Sequence, residues 1–240
     1  MEIQIAVAKA NKLASEESGD TLEMVERPSG GVSVVLADGR SSGREAKLIS
    51  SLVVRKVISL LAEGVRDGAA ARAASDYLYT EKNGQTSAYL NILSADLETG
   101  TLVLTRNNPT PIFVAQRERI ECLNAESTAL GTSRNIRPAI SEVPLEPGTT
   151  VVMYTDGLSR AGMQFGQMLD VCTLLESLLE DQEPSAQAIA DTILAEAIRV
   201  DQGGPNDDMS VVVLRVLTTL TDAVRRMTVR IPVNMNAIHS

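Results

Sequence analysis

The chain of 240 residues holds a single histidine, His239, beside the final Ser240. A Ser-His-Asp or Cys-His nucleophile system needs an imidazole poised at the attacking group, so that chemistry is excluded. Imidazole ligation of a metal falls with it. Tryptophan is absent and aromatic residues make up 2% of the chain, which removes the stacking platforms that single-stranded nucleic acids require. The two cysteines, Cys122 and Cys172, lack the paired spacing of a zinc site or a disulfide framework. They are expected as free, mostly buried thiols in a reducing cytoplasm. Basic residues number 22 against 31 acidic ones, for a net charge of −9, so no basic footprint offers itself to nucleic acid. No segment approaches the roughly 18 apolar residues of a membrane span, and the first residues lack a basic region followed by an apolar core. The expectation is a cytoplasmic protein with neither a nucleic-acid nor a membrane partner.

What is present is carboxylate in a repeated setting. Val151-Val-Met-Tyr-Thr-Asp156-Gly157 is an apolar, β-branched run that ends on an aspartate and a glycine. Gly31-Val-Ser-Val-Val-Leu-Ala37 runs likewise into Asp38-Gly39, and Asn206-Asp207-Asp208 opens onto Met209-Ser-Val-Val-Val-Leu214. Buried strands of this kind can be covered on both faces, but the aspartates at their ends need solvent, a donor or a cation. Two exits and one entrance, placed on antiparallel neighbours, bring all three clusters to one end of a sheet.

The remaining pattern alternates strands with helix pairs. Strand periodicity covers 3–7 and 21–27, with Pro28-Ser-Gly-Gly31 as the turn of a hairpin into the next strand. Apolar spacing from Leu48 to Leu61 predicts an amphipathic helix, and an alanine-rich helix follows over 68–79. Strands return at 87–93, 101–105, 112–115, 140–145 and 149–154. Helices are predicted over 167–180 and 185–200, the second capped by Ser185. Met163, Met168 and Met209 are read as core filler. A 44% hydrophobic content is enough for a substantial core.

A single Asp-Gly pair is a common turn. Here, however, Ser18-Gly-Asp20, Ala37-Asp-Gly39 with Ser42-Gly43-Arg-Glu-Ala46, Tyr154-Thr-Asp-Gly157 and Asn206-Asp-Asp-Met-Ser210 occur in one order. In that order the chain resembles the metal-dependent protein serine/threonine phosphatases of the type 2C kind, in their bacterial branch related to stage II sporulation protein E and the sigma-factor regulatory phosphatases. The likeness runs from about residue 3 to 216. It implies an α+β fold, a four-layer αββα sandwich of two mainly antiparallel sheets flanked by helix pairs. It also implies a centre of two Mn²⁺ or Mg²⁺ ions, with Asp38 bridging them, the Gly39 carbonyl as a further ligand, and Asp156 and Asp207 completing the second ion's shell. Asp20 matches an acidic residue near the first ion, acting through water. Asp208 stands where many relatives carry asparagine and is read as a neighbour of the ligands or a fallback ligand.

The bare chemistry agrees, since hard divalent cations prefer oxygen donors and two of them can activate water against a phosphoester. Two departures stand out. Relatives carry Asp-Gly-x-Gly-x-Gly where this chain has Asp38-Gly-Arg-Ser41-Ser-Gly43, which loses a glycine and sets Arg40 beside the site, facing substrate phosphate or solvent. The branch's Ala-Gly-His-x-Pro-like segment appears as Arg106-Asn-Asn108-Pro-Thr-Pro111, without the histidine. With the aspartates intact, altered loop packing or substrate choice is expected rather than loss of activity.

The expected function is hydrolysis of phosphoserine or phosphothreonine on a protein. The resemblance implies an anti-sigma factor antagonist as substrate, in a sigma-factor or stress circuit. The alternative is a catalytically silent relative that serves as a regulatory protein-binding module. Residues 1–217 are expected to form the phosphatase domain and 218–240 an extension. There, alternating apolar positions from Met227 to Val233 suggest an edge strand over 218–233, with a homodimer arm as the competing placement.

Overall fold

A computed structural model of the chain describes residues 1–13, 15, 17–117, 119–180, 183–218 and 224–231. Ten strands divide into two five-stranded sheets in which every pairing is antiparallel. The first sheet orders β1 (Glu2–Ala10), β10 (Met209–Leu217), β9 (Thr150–Tyr154), β6 (Ile112–Gln116) and β7 (Arg119–Leu123). The second orders β2 (Asp20–Glu26), β3 (Gly31–Gly39), β4 (Ala88–Asp96), β5 (Thr101–Asn107) and β8 (Ala139–Pro144). Helices α1 (Gly43–Ala62) and α2 (Asp67–Lys82) cover the second sheet. The first is covered by α4 (Val171–Leu179) and α5 (Ala186–Val200), and the single turn α3 (Asp156–Ser159) follows β9.

Three separate hydrophobic clusters define four layers. Val34, Leu36, Leu93, Leu104, Val151, Met153, Val212 and Leu214 pack between the sheets. The alternate residues Val35, Ala37, Leu90 and Ile92 point the other way, against Ile49, Val53, Val57 and Leu78 of α1 and α2. In the same way Val152, Tyr154, Val211 and Val213 meet Leu175, Ile189 and Ile193 of α4 and α5. A strand with a period of two and two covered faces reads as a continuous apolar run. This explains why β3, β9 and β10 lack polar alternation. Ala70, Ala71 and Ala74 are fully buried, and their small side chains let α2 lie close to its neighbours. The Ser185 hydroxyl accepts a hydrogen bond from Ala188 N at the start of α5, as its capping position predicts.

Several expectations need correction. Met209 is buried, but Met163 and Met168 are exposed. Helical periodicity predicts a start at 167, whereas Gly162 and Gly166 at positive φ bracket a 3₁₀ turn over Met163–Phe165, and α4 starts only at Val171 after its Asp170 cap. Neither cysteine is buried. Cys122 is exposed on the edge strand β7 and Cys172 is intermediate. Both β7 and α3 escape sequence reading, the one because its side chains are largely exposed and the other because it is four residues long. Part of the expected edge strand over 218–233 lies outside the described residues. Residues 224–231 form no strand, and the five strands of each sheet are all drawn from residues 2–217. Val224, Met227, Val229 and Ile231 are exposed there, and Arg225 reaches Glu26 at 3.4 Å. Among the described residues no helix is long and apolar enough to cross a membrane.

The contrast between methionines gives a test. Met153→Ala removes a fully buried side chain from between the sheets and should cost about 2–5 kcal/mol in denaturant unfolding. Met163→Ala should stay within about 0.5 kcal/mol of the parent.

Candidate metal centre

Chain reversal at one end of the sandwich gathers the aspartates. β2 begins at Asp20 directly opposite Asp38, near the end of β3. On the other sheet Tyr154 pairs with Val211 and Thr155 N donates to Ser210 O at 3.0 Å. Asp156 and the Asp207-Asp208 pair therefore lie side by side.

Both glycines of the Asp-Gly pairs are required by space rather than by φ. A Cβ on Gly39 would lie 2.1 Å from Ala46 O, and one on Gly157 would lie 2.1 Å from Asp208 O. The first packs the strand end onto α1. The second packs α3 onto the approach to β10.

Asp20 is almost fully buried, and its Oδ2 accepts hydrogen bonds from Thr155 Oγ1 at 2.9 Å and Ser210 Oγ at 2.6 Å. Its backbone carbonyl accepts from Lys9 Nζ and Lys47 Nζ. Asp208 turns both oxygens to backbone N–H groups, Oδ1 to Lys12 and Oδ2 to Gly19. It braces the loop that leads to Asp20, each oxygen accepting one of these bonds.

Asp38, Asp156 and Asp207 are linked by two guanidinium groups. Arg40 Nη1 lies 2.7 Å from Asp156 Oδ2 and 3.6 Å from Asp38 Oδ2. Arg160 Nη2 lies 2.6 Å from the same Asp156 Oδ2 and 3.0 Å from Asp207 Oδ2. Arg160 was not anticipated from sequence. Nor was Asp201, a buried carboxylate that accepts from Gly162 N at 2.6 Å and Asn206 N at 3.0 Å. It fastens the turn after Arg160 to the loop carrying Asp207. Its only sequence signal was an acidic residue just beyond a helix end, which is too common to single out.

The electrostatics are those of carboxylates kept from water. Burial raises the Asp38 carboxyl well above the usual range, and the neighbouring charges of Asp20 and Asp156 push in the same direction. Burial likewise lifts Asp20 to about 7, against the lowering effect of the Ser210 hydroxyl. The donors suit a hard divalent cation, being carboxylate oxygens with the Gly39 carbonyl at the adjacent position. Among the described residues, no three acidic, cysteine or histidine side chains already converge as a ligand set. The guanidiniums of Arg40 and Arg160 stand between them.

These shifts set the sign of a pH effect. A carboxyl that titrates near 3.8 when unfolded but higher when folded adds stability below that value. The contribution is lost as pH rises through the folded value. In excess chelator this component of stability should therefore decline between about pH 4 and 8. At pH 8, Asp38→Asn should exceed the parent in stability by on the order of 1–3 kcal/mol. Chemical denaturation across that range measures both, and a flat profile with no gain from Asp38→Asn contradicts the assigned environment.

Comparison with known proteins places this geometry in a family. The model of the Stage II sporulation protein E (SpoIIE) family matches residues 28–217. The Stage II sporulation protein E of Priestia megaterium is 23% identical over 214 residues, covering 89% of this chain and 36% of the relative. The chain thus spans about a third of that protein's length. A solved structure of the PP2C phosphatase domain with a fragment of the regulatory domain of SpoIIE from Bacillus subtilis superposes with a TM-score of 0.78 at 21% identity. The match covers 90% of this chain and 63% of that one. The catalytic domain of the serine/threonine protein phosphatase PstP, solved with two manganese ions, matches with a TM-score of 0.68 at 18% identity, over 90% of this chain and 98% of that one. Two antiparallel sheets between helix pairs are thus shared with these phosphatase domains, and the chain belongs to the Stage II sporulation protein E family.

Proposed function

We propose that the chain is a metal-dependent phosphatase acting on phosphoserine or phosphothreonine in a protein. Residues 1–217 form its catalytic domain and 218–240 an extension. The observation that carries this reading is the gathering of Asp38, Asp156 and Asp207 at one end of the sandwich, where burial and mutual repulsion favour a divalent cation. Asp38, Asp156, Asp207 and the Gly39 carbonyl would hold two Mn²⁺ or Mg²⁺ ions. The solved PstP domain with two manganese ions supports that number by likeness. Asp20 contributes from behind, through the hydroxyls of Thr155 and Ser210.

Such ions supply Lewis acidity, polarising a phosphoryl oxygen and lowering the pKa of water. The chain's own residues fix the geometry. The hydroxyls of Thr155 and Ser210 both donate to Asp20, so neither is poised as a nucleophile. Direct attack by water, without a covalent phosphoenzyme, fits this arrangement and a chain lacking a usable histidine. The resemblance to regulatory phosphatases supports a phosphorylated regulatory protein as substrate, of the anti-sigma factor antagonist kind.

One observation favours the alternative of a silent binding module, namely the two guanidiniums lying among the carboxylates. Hydrolysis of p-nitrophenyl phosphate and of a phosphoserine protein, with and without Mn²⁺, separates the two. Turnover should appear with Mn²⁺ and vanish in excess chelator. Asp38→Asn should lower it by at least about a hundredfold, in the range seen for loss of one electrostatic stabiliser, while the protein keeps its circular dichroism spectrum. Full activity in chelator, or a near-normal rate for Asp38→Asn, sinks the mechanism.

A further inference from the structure

Arg40 follows β3 of one sheet and Arg160 follows β9 and α3 of the other. Their guanidiniums nevertheless share a single oxygen, Asp156 Oδ2, at 2.7 and 2.6 Å. Two like charges so close are stable only with an anion between them. Both are anchored. Arg40 lies over the Tyr89 ring, 4.6 Å from its centroid, and its backbone N–H donates to Ser87 O at 2.9 Å. Arg160 is held by its own N–H to Asp156 O at 2.9 Å, and Asp201 fixes the turn that follows. Their side chains keep 34% and 42% exposure, so each presents an edge to a ligand arriving from solvent. A guanidinium fork can grip one anion with two N–H groups while its remaining donors stay elsewhere.

The inference rests on the phosphatase reading. When Asp156 turns its oxygens to a cation, the two guanidiniums keep their anchors but lose their shared anion. We infer that Arg40 and Arg160 together hold the phosphoryl group of the substrate, which occupies the place between them that Asp156 Oδ2 now fills. Two cations select a phosphomonoester dianion. A phosphodiester carries one charge and sets an ester group where the second guanidinium would bind. The pair thus gives this chain its preference for monoesters, and Arg40 stands next to Ser41, which replaces a glycine of the family's pattern.

The test uses Arg40→Gln, Arg160→Gln, the double variant and the corresponding lysine variants, all in the full chain. Inorganic phosphate is titrated calorimetrically into protein supplemented with Mn²⁺, alongside hydrolysis of p-nitrophenyl phosphate and thermal shifts induced by Mn²⁺. Each glutamine variant should weaken phosphate binding and raise KM by about tenfold, with lysine intermediate. The Mn²⁺-induced shift should persist. Phosphate affinity within twofold of the parent in both glutamine variants overturns the inference, as does a parent that binds no phosphate. Loss of the Mn²⁺ shift in the variants also overturns it, since the arginines then serve to position carboxylates. Arginine-dependent phosphate binding without turnover overturns the phosphatase reading and sustains the pair.

Discussion

The site depends on one buried carboxylate that joins the two sheets. Asp20 belongs to β2, yet its Oδ2 is gripped by Thr155 and Ser210 from the strand ends of the opposite sheet, at 2.9 and 2.6 Å. Asp208 adds a second clasp, capping Gly19 N and Lys12 N from the entrance of β10. Sheets that meet only through apolar side chains are free to slide by small amounts. Directional hydrogen bonds at the rim remove that freedom where aspartates from both sheets must face one another. An unpaired buried carboxylate would be costly, and two hydroxyls and Lys9 offset part of the desolvation.

The rim is therefore held in electrostatic tension. Asp38 is buried among acidic neighbours and retains its proton far above the ordinary range. Arg40 and Arg160 relieve part of the repulsion, and their own partial exposure limits what those ion pairs add to stability. A core of Leu, Val, Ile and Ala supplies the stability that this arrangement gives up. The three apolar clusters surround the strands on both faces, so local repulsion at their ends need not loosen the sandwich. Functional sites commonly keep strain of this sort at the expense of stability.

The fold was largely legible because its signals are local. Runs such as Val151–Tyr154 and Val211–Leu214 mark doubly covered strands, and the spacing from Ile49 to Leu61 marks a helix face. The recurrence of aspartate at strand ends is equally local, which is why Asp38, Asp156 and Asp207 stand out in the sequence. What the sequence withheld depends on distant partners. Arg160 touches Asp207, 47 positions away, and Arg40 touches Asp156, 116 positions away. The place of Arg40 after Asp38-Gly39 sets it beside the site without naming Asp156 as its partner, and nothing near Arg160 marks it as different from a solvated arginine. The misplaced Met163 and Met168 have another cause. Met163 sits in the 3₁₀ turn bracketed by the left-handed glycines Gly162 and Gly166, and Met168 lies before α4 begins at Val171, so neither is carried onto the core.

The missing histidine of the central segment finds a physical counterpart in the loop that replaces it. Arg106 is buried, and its guanidinium donates to the backbone carbonyls of Asn108, Thr110 and Ala125. Among the described residues it pairs with backbone carbonyls only, so its charge is spent on fixing loop backbone, and burial lowers its pKa. The Thr110 hydroxyl then donates to Tyr154 O at 3.1 Å, and Asn91 Nδ2 approaches the same carbonyl at 3.5 Å from β4 of the other sheet. Tyr154 is the last residue of β9, two positions before Asp156. The carbonyl that these groups hold is thus a fixed point just before Thr155, whose N–H and hydroxyl are held in turn by Ser210 O and Asp20 Oδ2 as the chain enters the carboxylate cluster. A histidine could brace this turn only as one side chain with two ring nitrogens, whereas the Arg106 loop spreads the task over several bonds. The expected change in loop packing is therefore compatible with an undisturbed Asp156. On this account the departure alters the support beneath the site rather than the groups that face a substrate.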